Sequence, residues 1–191
     1  LMSEFRKIQD PLTMFPEGYD INNPNIIKRV EQDLSNGNPF HYLFTGVVGC
    51  GKTYLAKHIV NTNPLPWKCI AVKPFYETYL KYIQSDYTDK WDAIKTHNRE
   101  FDKECLFVDD LGDERPGTAA SHDYFGGLII SRYIYIQRHD RTRTIITTNL
   151  DSLEIENIYG SRATDRLKES FVICKFNPTS FREKKETVIE S

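Results

Sequence analysis

The sequence predicts an α/β fold built on a parallel sheet that helices cover on both faces. Short, continuously apolar runs alternate along the chain with segments whose apolar residues recur at helical spacing. Continuously apolar strands are typical of parallel sheets, because both faces of such sheets are buried. A glycine-rich turn follows one apolar run, and acidic or amide side chains follow two others. These turns predict one sheet edge at which polar groups gather.

The first half of the chain begins with an irregular segment, because residues 1–24 are rich in proline and polar turn residues. Apolar residues at helical spacing, closed by a polar turn around Gly37, predict the first helix. In the two helices after the second strand, we expect Tyr79, Ile83, Trp91 and Ile94 to face the interior. The predicted elements are helix 26–34, strand 42–45, helix 52–61, strand 68–72, and helices 75–84 and 89–101.

The second half contains three further apolar runs that predict strands. Glycine and proline between the first of them and the next helix predict a mobile loop over 111–120, and the stretch 112–121 has no evident role. The predicted elements are strand 105–108, helix 122–139, strand 144–147, helices 152–158 and 161–169, and strand 171–174.

Composition limits the classes of function. The chain has 191 residues, of which 39% are apolar and 27% charged, and this suits one globular domain. Its formal net charge of −2 excludes a global basic field, so any nucleic acid must meet a local patch.

The four cysteines are scattered without a CxxC pair, which argues against zinc and disulfides and favours a reducing, cytoplasmic compartment. No apolar run reaches membrane-spanning length, so we expect no membrane partner. Leu1 before Met2 indicates either an added residue or a trimmed chain, and in the second case the natural protein would be longer.

Residues 46–53 read Gly-Val-Val-Gly-Cys-Gly-Lys-Thr and match the phosphate-binding pattern G-x-x-x-x-G-K-[ST]. Glycines let the backbone N–H groups turn inward around anionic oxygens, and the N-terminus of the following helix favours phosphate. Lys52 can reach the β- and γ-phosphates, and the Thr53 hydroxyl can ligate Mg²⁺. The residues expected to contact the nucleotide are Gly46, Val47, Val48, Gly49, Cys50, Gly51, Lys52, Thr53 and Tyr54.

Polar side chains follow two of the predicted strands. Asp109 and Asp110 come directly after strand 105–108, where Asp109 would hold hydrated Mg²⁺ and Asp110 would orient or deprotonate the attacking water. Asn149 comes soon after strand 144–147 and would contact the γ-phosphate or that water if the two strands are neighbours. Taken singly, an acid pair that starts a turn explains the two aspartates equally well, and an ordinary strand-terminating asparagine explains Asn149 better. The phosphate loop upstream favours the functional interpretation.

Two arginines lie four residues apart on one predicted helical face. The planar forks of Arg162 and Arg166 suit phosphate, and they could complete a neighbouring subunit's site in trans, as arginine fingers do. The alternative is a solvated basic face that pairs locally with Asp165 and Glu169. Arg182, just after the last strand, is by itself only a surface charge.

Nucleic-acid contact is a further possibility for residues 68–99, where basic and aromatic side chains interleave. Such a mixture suits a track for single-stranded DNA. A solvated basic face over a buried aromatic stripe fits the same pattern. The sequence therefore singles out no DNA-binding residue.

The motifs at 46–53, LFVDDLG at 106–112, IITTNL at 145–150, GSRATDRL at 160–167 and SFR at 180–182 occur in this order. Together they resemble the AAA+ ATPases of the DnaC/DnaI/IstB branch, the helicase loaders and transposition helpers, over about residues 20–182. The resemblance implies a P-loop NTPase three-layer sandwich of the AAA+/ASCE type without a full helical lid domain. It implies a five-stranded parallel sheet of order 5-1-4-3-2. The ATPase domain would span 25–182, between the irregular segment 1–24 and a tail at 183–191.

The resemblance also implies roles and partners. It implies ATP and Mg²⁺ as cofactors, homo-oligomers, and single-stranded DNA with a replicative helicase or a transposase as partners. Two other classes stay open: a nucleotide-gated adaptor that hardly hydrolyses ATP, since Asp110 replaces the commoner glutamate, and a P-loop kinase, against which Asn149 argues. The implied roles are Walker A for Lys52 and Thr53, Walker B for Asp109 and Asp110, sensor 1 for Asn149, arginine finger for Arg166 with Arg162 beside it, and sensor 2 for Arg182.

Overall fold

The computed structural model of the chain describes residues 24–85, 88–114 and 118–176. Arg182, the irregular segment predicted before residue 24 and the tail predicted at 183–191 lie outside these ranges. In chain order the elements are α1 Pro24–Ser35, β1 Phe40–Thr45, α2 Lys52–Thr62, β2 Trp67–Ala71, α3 Val72–Gln84, α4 Lys90–Asn98, a 3₁₀ helix Arg99–Asp102, β3 Cys105–Leu111, α5 Ala119–Arg138, β4 Arg143–Thr148, α6 Ser152–Tyr159, α7 Ser161–Ser170 and β5 Val172–Lys175.

The five strands form one parallel sheet in the order β2-β3-β4-β1-β5. This is the order 5-1-4-3-2 read from the other edge, so the predicted topology is confirmed. β4 lies between β1 and β3, and Thr45 pairs in register with Thr148. The carboxyl ends of these three strands therefore meet at one edge, where open α/β sheets bind ligands.

Helices cover both faces of the sheet, as predicted. Side chains alternate along each strand, so Leu106 and Val108 face a core built with α3, α5, α6 and α7, while Phe107 faces a second core built with α1 and α2. None of the helices in the described part of the chain has the length and apolar character needed to span a bilayer.

Two boundaries differ from the prediction around the acid pair. β3 continues through Leu111 and so includes both aspartates, with a register irregularity against β4 between Val108 and Leu111. α5 begins at Ala119 rather than at 122. Its start is set by a capping box, in which the Thr118 and Ser121 side chains each accept a hydrogen bond from the other's backbone N–H.

The prediction of inward-facing residues was wrong for Ile83 and Trp91, both of which are exposed; Trp91 is 69% exposed. Ile94 is buried and Tyr79 packs against the core, as expected. For Trp91 the reason lies in the arrangement of α4, which packs mainly on α3 and the 3₁₀ helix rather than on the sheet. Only one large apolar side chain of α4 therefore reaches the core.

Candidate functional site

The loop between β1 and α2 has a backbone that only glycine adopts easily. Gly46 has φ +149°, and a Cβ there would lie 3.1 Å from the backbone oxygen of Phe176. Gly51, at φ +96°, is the left-handed residue from which α2 starts. L side chains are strained in these conformations. The glycines of the motif are therefore required by the path of this loop at the N-terminus of α2.

Lys52 lies at the centre of the loop and is only 4% exposed. Its ammonium group donates to the carbonyl oxygens of Gly46 (2.7 Å) and Val47 (2.9 Å) and to Oδ1 of Asn149 (2.8 Å). These three oxygen acceptors are neutral, a fourth contact at 3.6 Å is with Sγ of Cys50, and no carboxylate forms a salt bridge with Lys52 in the described ranges. A buried cation without an anion is unfavourable, so the loop has the charge that suits an anionic ligand such as phosphate.

The carboxylate of Asp109 joins the phosphate loop to the neighbouring strand. Its Oδ1 accepts hydrogen bonds from the hydroxyls of Thr53 and Thr147, both at 2.8 Å. Its Oδ2 lies 3.7 Å from Nζ of Lys57, one turn further along α2. The fold thus brings the Thr53 hydroxyl and the Asp109 carboxylate into contact although they lie 56 positions apart in the sequence.

Asp110 has the only positive φ of any non-glycine residue in the described chain, at +60°. Its backbone N–H donates to Oγ1 of Thr147 at 2.9 Å, and this hydrogen bond fixes the backbone at the register irregularity of β3. Burial raises the pKa of the Asp110 carboxyl, and the charges of Asp109 and Asp113 raise it further. A strained backbone and a carboxyl with a raised pKa are typical of functional sites and suit a proton acceptor.

The donor set at this edge fits a magnesium ion. Mg²⁺ prefers hard oxygen ligands, usually one or two from protein together with water and phosphate oxygens. The Thr53 hydroxyl and the Asp109 carboxylate, 2.8 Å apart, are such ligands. They are the two residues of this chain that would hold the ion.

Asn149 lies just after β4 and beside the phosphate loop, the location expected from the sequence. It is exposed, and its Oδ1 contacts the Lys52 ammonium. Thr147, two residues earlier, was missed by the sequence interpretation although it contacts both Asp109 and the backbone of Asp110. The signal that could have found it is a hydroxyl at the polar end of an otherwise apolar strand.

The two candidate arginines do not contact this site within their own chain. Arg166 pairs with Oε2 of Glu169 at 2.6 Å and lies over the ring of Tyr133, whose hydroxyl donates to Oε1 of Glu169 at 2.7 Å. The local pairing considered for Arg166 is thus present. Arg162 is exposed on the same helix, with no hydrogen bond or salt bridge in the described ranges.

The mixed basic and aromatic stretch resolves into several separate contacts. Lys68 pairs with Glu100 at 2.6 Å, and Tyr79 stacks on Tyr124 with ring centroids 3.9 Å apart. The buried-stripe interpretation therefore holds for Tyr79. Trp91 differs, since its ring is exposed and lies 5.9 Å from Nζ of Lys90.

Comparisons with known proteins connect this geometry to a fold. No family model matches the sequence, and no curated protein matches it. The crystal structure of the DnaC helicase loader superposes with a TM-score of 0.61 at 20% identity, over 83% of this chain and 92% of that one. That of DnaI gives 0.60 at 20% identity, over 86% and 95%.

The structure of DnaA from Aquifex aeolicus bound to AMPPCP gives a TM-score of 0.59 at 15% identity, over 81% of this chain but only 46% of the DnaA chain. At such identities the likeness shows the fold. The chain has the same fold as DnaC, DnaI and DnaA, and the fold that the motif resemblance implied is confirmed.

Proposed function

We propose that this chain is a AAA+ ATPase that binds ATP with Mg²⁺ at residues 46–53 and hydrolyses it within an oligomer. One observation carries the proposal: Thr53, at the start of α2, and Asp109, in β3, lie 2.8 Å apart beside a buried lysine that forms no salt bridge in the described chain. A phosphate-bound magnesium ion needs these groups in this arrangement. A glycine turn that matched the motif by accident would not require it.

The roles follow from the contacts of each residue. The loop amides and Lys52 would bind the phosphates, and Thr53 and Asp109 would hold Mg²⁺, which neutralises phosphate charge when bound. Asp110, whose pKa is raised by burial, would accept a proton from the attacking water. Asn149 already contacts Lys52, so it lies where it can sense the γ-phosphate.

Arginines from a neighbouring subunit would complete the site. Arg162 and Arg166 are on the solvent side of α7, where a second subunit has access to them. The exposed pair of Arg166 with Glu169 is of the kind that contributes little to stability, so it would open at low cost to meet a phosphate. We assign Arg166 as the finger and Arg162 as its neighbour.

The proposal extends to partners through the fold. The likeness to the DnaC helicase loader supports a helicase as the partner, and assembly on single-stranded DNA is carried over as an expectation from the sequence motifs. A transposition helper that acts with a transposase is the second candidate. Arg182 as sensor 2 and a cytoplasmic location complete the proposal as expectations from the sequence.

ATP binding and steady-state phosphate release, measured over a range of protein concentrations, test this function. Lys52→Ala should abolish ATP binding. Arg166→Ala should bind ATP normally but lose about a thousandfold in assembly-dependent turnover, by analogy with other arginine fingers. The matched control is Arg138→Ala, which removes an exposed arginine from the far end of α5 and should retain turnover.

Three outcomes separate the alternatives. Unchanged ATP binding in Lys52→Ala would refute the phosphate site. Unchanged turnover in Arg166→Ala, at concentrations where the wild type assembles, would refute the role in trans. ATP binding with no turnover, with or without single-stranded DNA, would identify a nucleotide-gated adaptor instead of an ATPase.

A further inference from the structure

The segment that follows the acid pair contacts the residue that precedes the arginine helix. The hydroxyl of Tyr159, the last residue of α6, donates to Oε1 of Glu114 at 2.6 Å. The other carboxylate oxygen of Glu114 accepts from the backbone N–H of Gly112 at 3.1 Å. Forty-five residues separate Glu114 from Tyr159 in the sequence, so this is a tertiary contact.

The contact is buried and carries a charge. Glu114 is 3% exposed, and no basic side chain forms a salt bridge with it in the described ranges. Burial raises the pKa of Tyr159 and the charge of Glu114 raises it further, so the phenol stays protonated and donates. Among the described residues the donors to this carboxylate are two neutral groups; burying it in this way is unfavourable, and an apolar pair would pack here at lower cost. The cost suggests a role other than packing.

Close contacts surround both partners of the link, by which we mean the hydrogen bond between Glu114 and Tyr159. A Cβ on Gly112 would lie 2.8 Å from the side chain of Leu150, and the hydroxyl of Thr148 donates to the carbonyl of Leu111 at 2.6 Å. On the other side, a Cβ on Gly126 would lie 3.1 Å from the carbonyl oxygen of Tyr159. A shift of the segment after Asp110 therefore cannot be absorbed by empty space around Tyr159.

Beyond Tyr159 the chain enters α7 through one glycine. Gly160 has φ +83° and lies between α6 and α7. Arg162 follows Tyr159 by three residues and Arg166 by seven. The position of Tyr159 thus sets where α7 starts, and α7 carries both arginines.

We propose that Glu114 and Tyr159 are positioning residues that join the acid pair of one subunit to the arginines that this subunit offers to its neighbour. When nucleotide binding displaces Asp109 and Asp110, residues 111–114 move with them. The buried hydrogen bond between Glu114 and Tyr159 then transmits this displacement to the start of α7. The inference rests on the proposed function, since it concerns turnover in an assembled ATPase. By reciprocity, arginines engaged in a neighbour's site would bias the nucleotide affinity of their own subunit.

Tyr159→Phe in the full chain tests the link because it removes one hydroxyl and keeps the ring. Tyr124→Phe is the matched control: it also removes a partly buried hydroxyl, which donates to Asn98 at the end of α4 at 2.6 Å. We expect comparable losses of thermal stability in the two variants. Only Tyr159→Phe should lose assembly-dependent turnover, by about fivefold or more, with unchanged ATP affinity of the isolated subunit.

A double-variant cycle separates positioning from simple destabilisation. If Tyr159 acts through α7, adding Tyr159→Phe to Arg162→Ala/Arg166→Ala should reduce turnover no further. Glu114→Gln should retain more turnover than Tyr159→Phe, since its amide can donate to the phenol oxygen while its carbonyl accepts from Gly112.

Additive effects in the cycle, or equal turnover in Tyr159→Phe and Tyr124→Phe, would overturn the positioning role and leave the ATPase proposal intact. Absence of turnover in the wild type at every concentration would overturn both.

Discussion

Lys52 and Arg132 are buried cations at opposite ends of the sheet, and the groups that surround them differ. Lys52, at the carboxyl end, and Arg132, at the amino end, are 4% and 2% exposed, and neither forms a salt bridge in the described ranges. The guanidinium of Arg132 donates to the carbonyls of Phe101, Lys103, Glu104 and Arg143 and to the Thr144 hydroxyl. The Lys52 ammonium instead donates to a loop whose glycines have positive φ.

The difference lies in how the surrounding backbone is held. The acceptors of Arg132 lie where the chain enters β3 and β4, so its hydrogen bonds join regular elements across the core. The acceptors of Lys52 include loop carbonyls that water can reach when the lysine leaves them, since Val47 is exposed. A buried charge with rigid hydrogen-bond partners stabilises the fold, while a buried charge whose partners can be exchanged is able to bind a ligand. Burial alone does not distinguish the two.

Replacing each cation by methionine gives the largest expected effect and the most direct test of this difference. Arg132→Met should lose about 3–5 kcal/mol of unfolding free energy, because several buried acceptors lose their donor. Lys52→Met should change stability by less than about 1 kcal/mol but weaken ATP binding about a hundredfold or more. Denaturant unfolding and nucleotide titration measure the two quantities. Equal stability losses would mean that Lys52 is also a structural cation.

A smaller effect is expected at the amino end from His41, whose Nδ1 lies 3.2 Å from the Thr144 hydroxyl. Burial, and then the charge of Arg132, lower its pKa from 6.5 to about 4. Between those values the unfolded chain binds the proton and the folded chain does not, so stability falls as pH drops from 6.5 to 4. His41→Gln should remove on the order of 2 kcal/mol of that loss. Parallel acid unfolding curves of the wild type and the variant would contradict this expectation.

The smallest effect on stability is expected at the carboxyl end of the sheet from Asp110→Asn. The sign of this stability change distinguishes the carboxyl end from the amino end. The pKa of Asp110 is raised in the fold, so its ionised form destabilises the native state once the pH exceeds the pKa of the unfolded chain, about 4. The variant should therefore melt at a slightly higher temperature at pH 7, and turnover should fall by about 100- to 10,000-fold.

At pH 3 the stability gain of Asp110→Asn should disappear, because the wild-type carboxyl is then protonated in both states. A gain that persists at pH 3 would show that titration of this carboxyl does not cause it, and would assign the effect to the backbone at φ +60°.

Much of the fold could be predicted from local patterns. The apolar runs identified all five strands within a few residues, and the motif at 46–53 identified the loop and the start of α2. The acid pair was expected beside that loop, and Asp109 lies 2.8 Å from Thr53. Trp91 was misplaced, because its helical spacing matches that of a core residue while α4 lies on other helices.

The residues that the sequence left unrecognised share one property. Thr147, Glu114, Tyr159 and Arg132 each have their decisive partner on another element, and no local motif marks them. Thr147 looks like an ordinary strand threonine and Arg132 like one of many surface arginines in a helix. Their burial and partners become visible only when the strands and helices are packed.

Spacing along the chain was sufficient to predict a parallel sheet, a phosphate loop and an acid pair, because each depends on neighbours within a few residues. Packing decided that Asp109 accepts from hydroxyls on both sides, that Lys52 and Arg132 differ in role, and that Glu114 contacts the residue before α7. Apart from the hydrogen bonds of Lys52 to its own loop, these contacts join residues between 11 and 97 positions apart, and their free energy exists only after the intervening chain has been ordered.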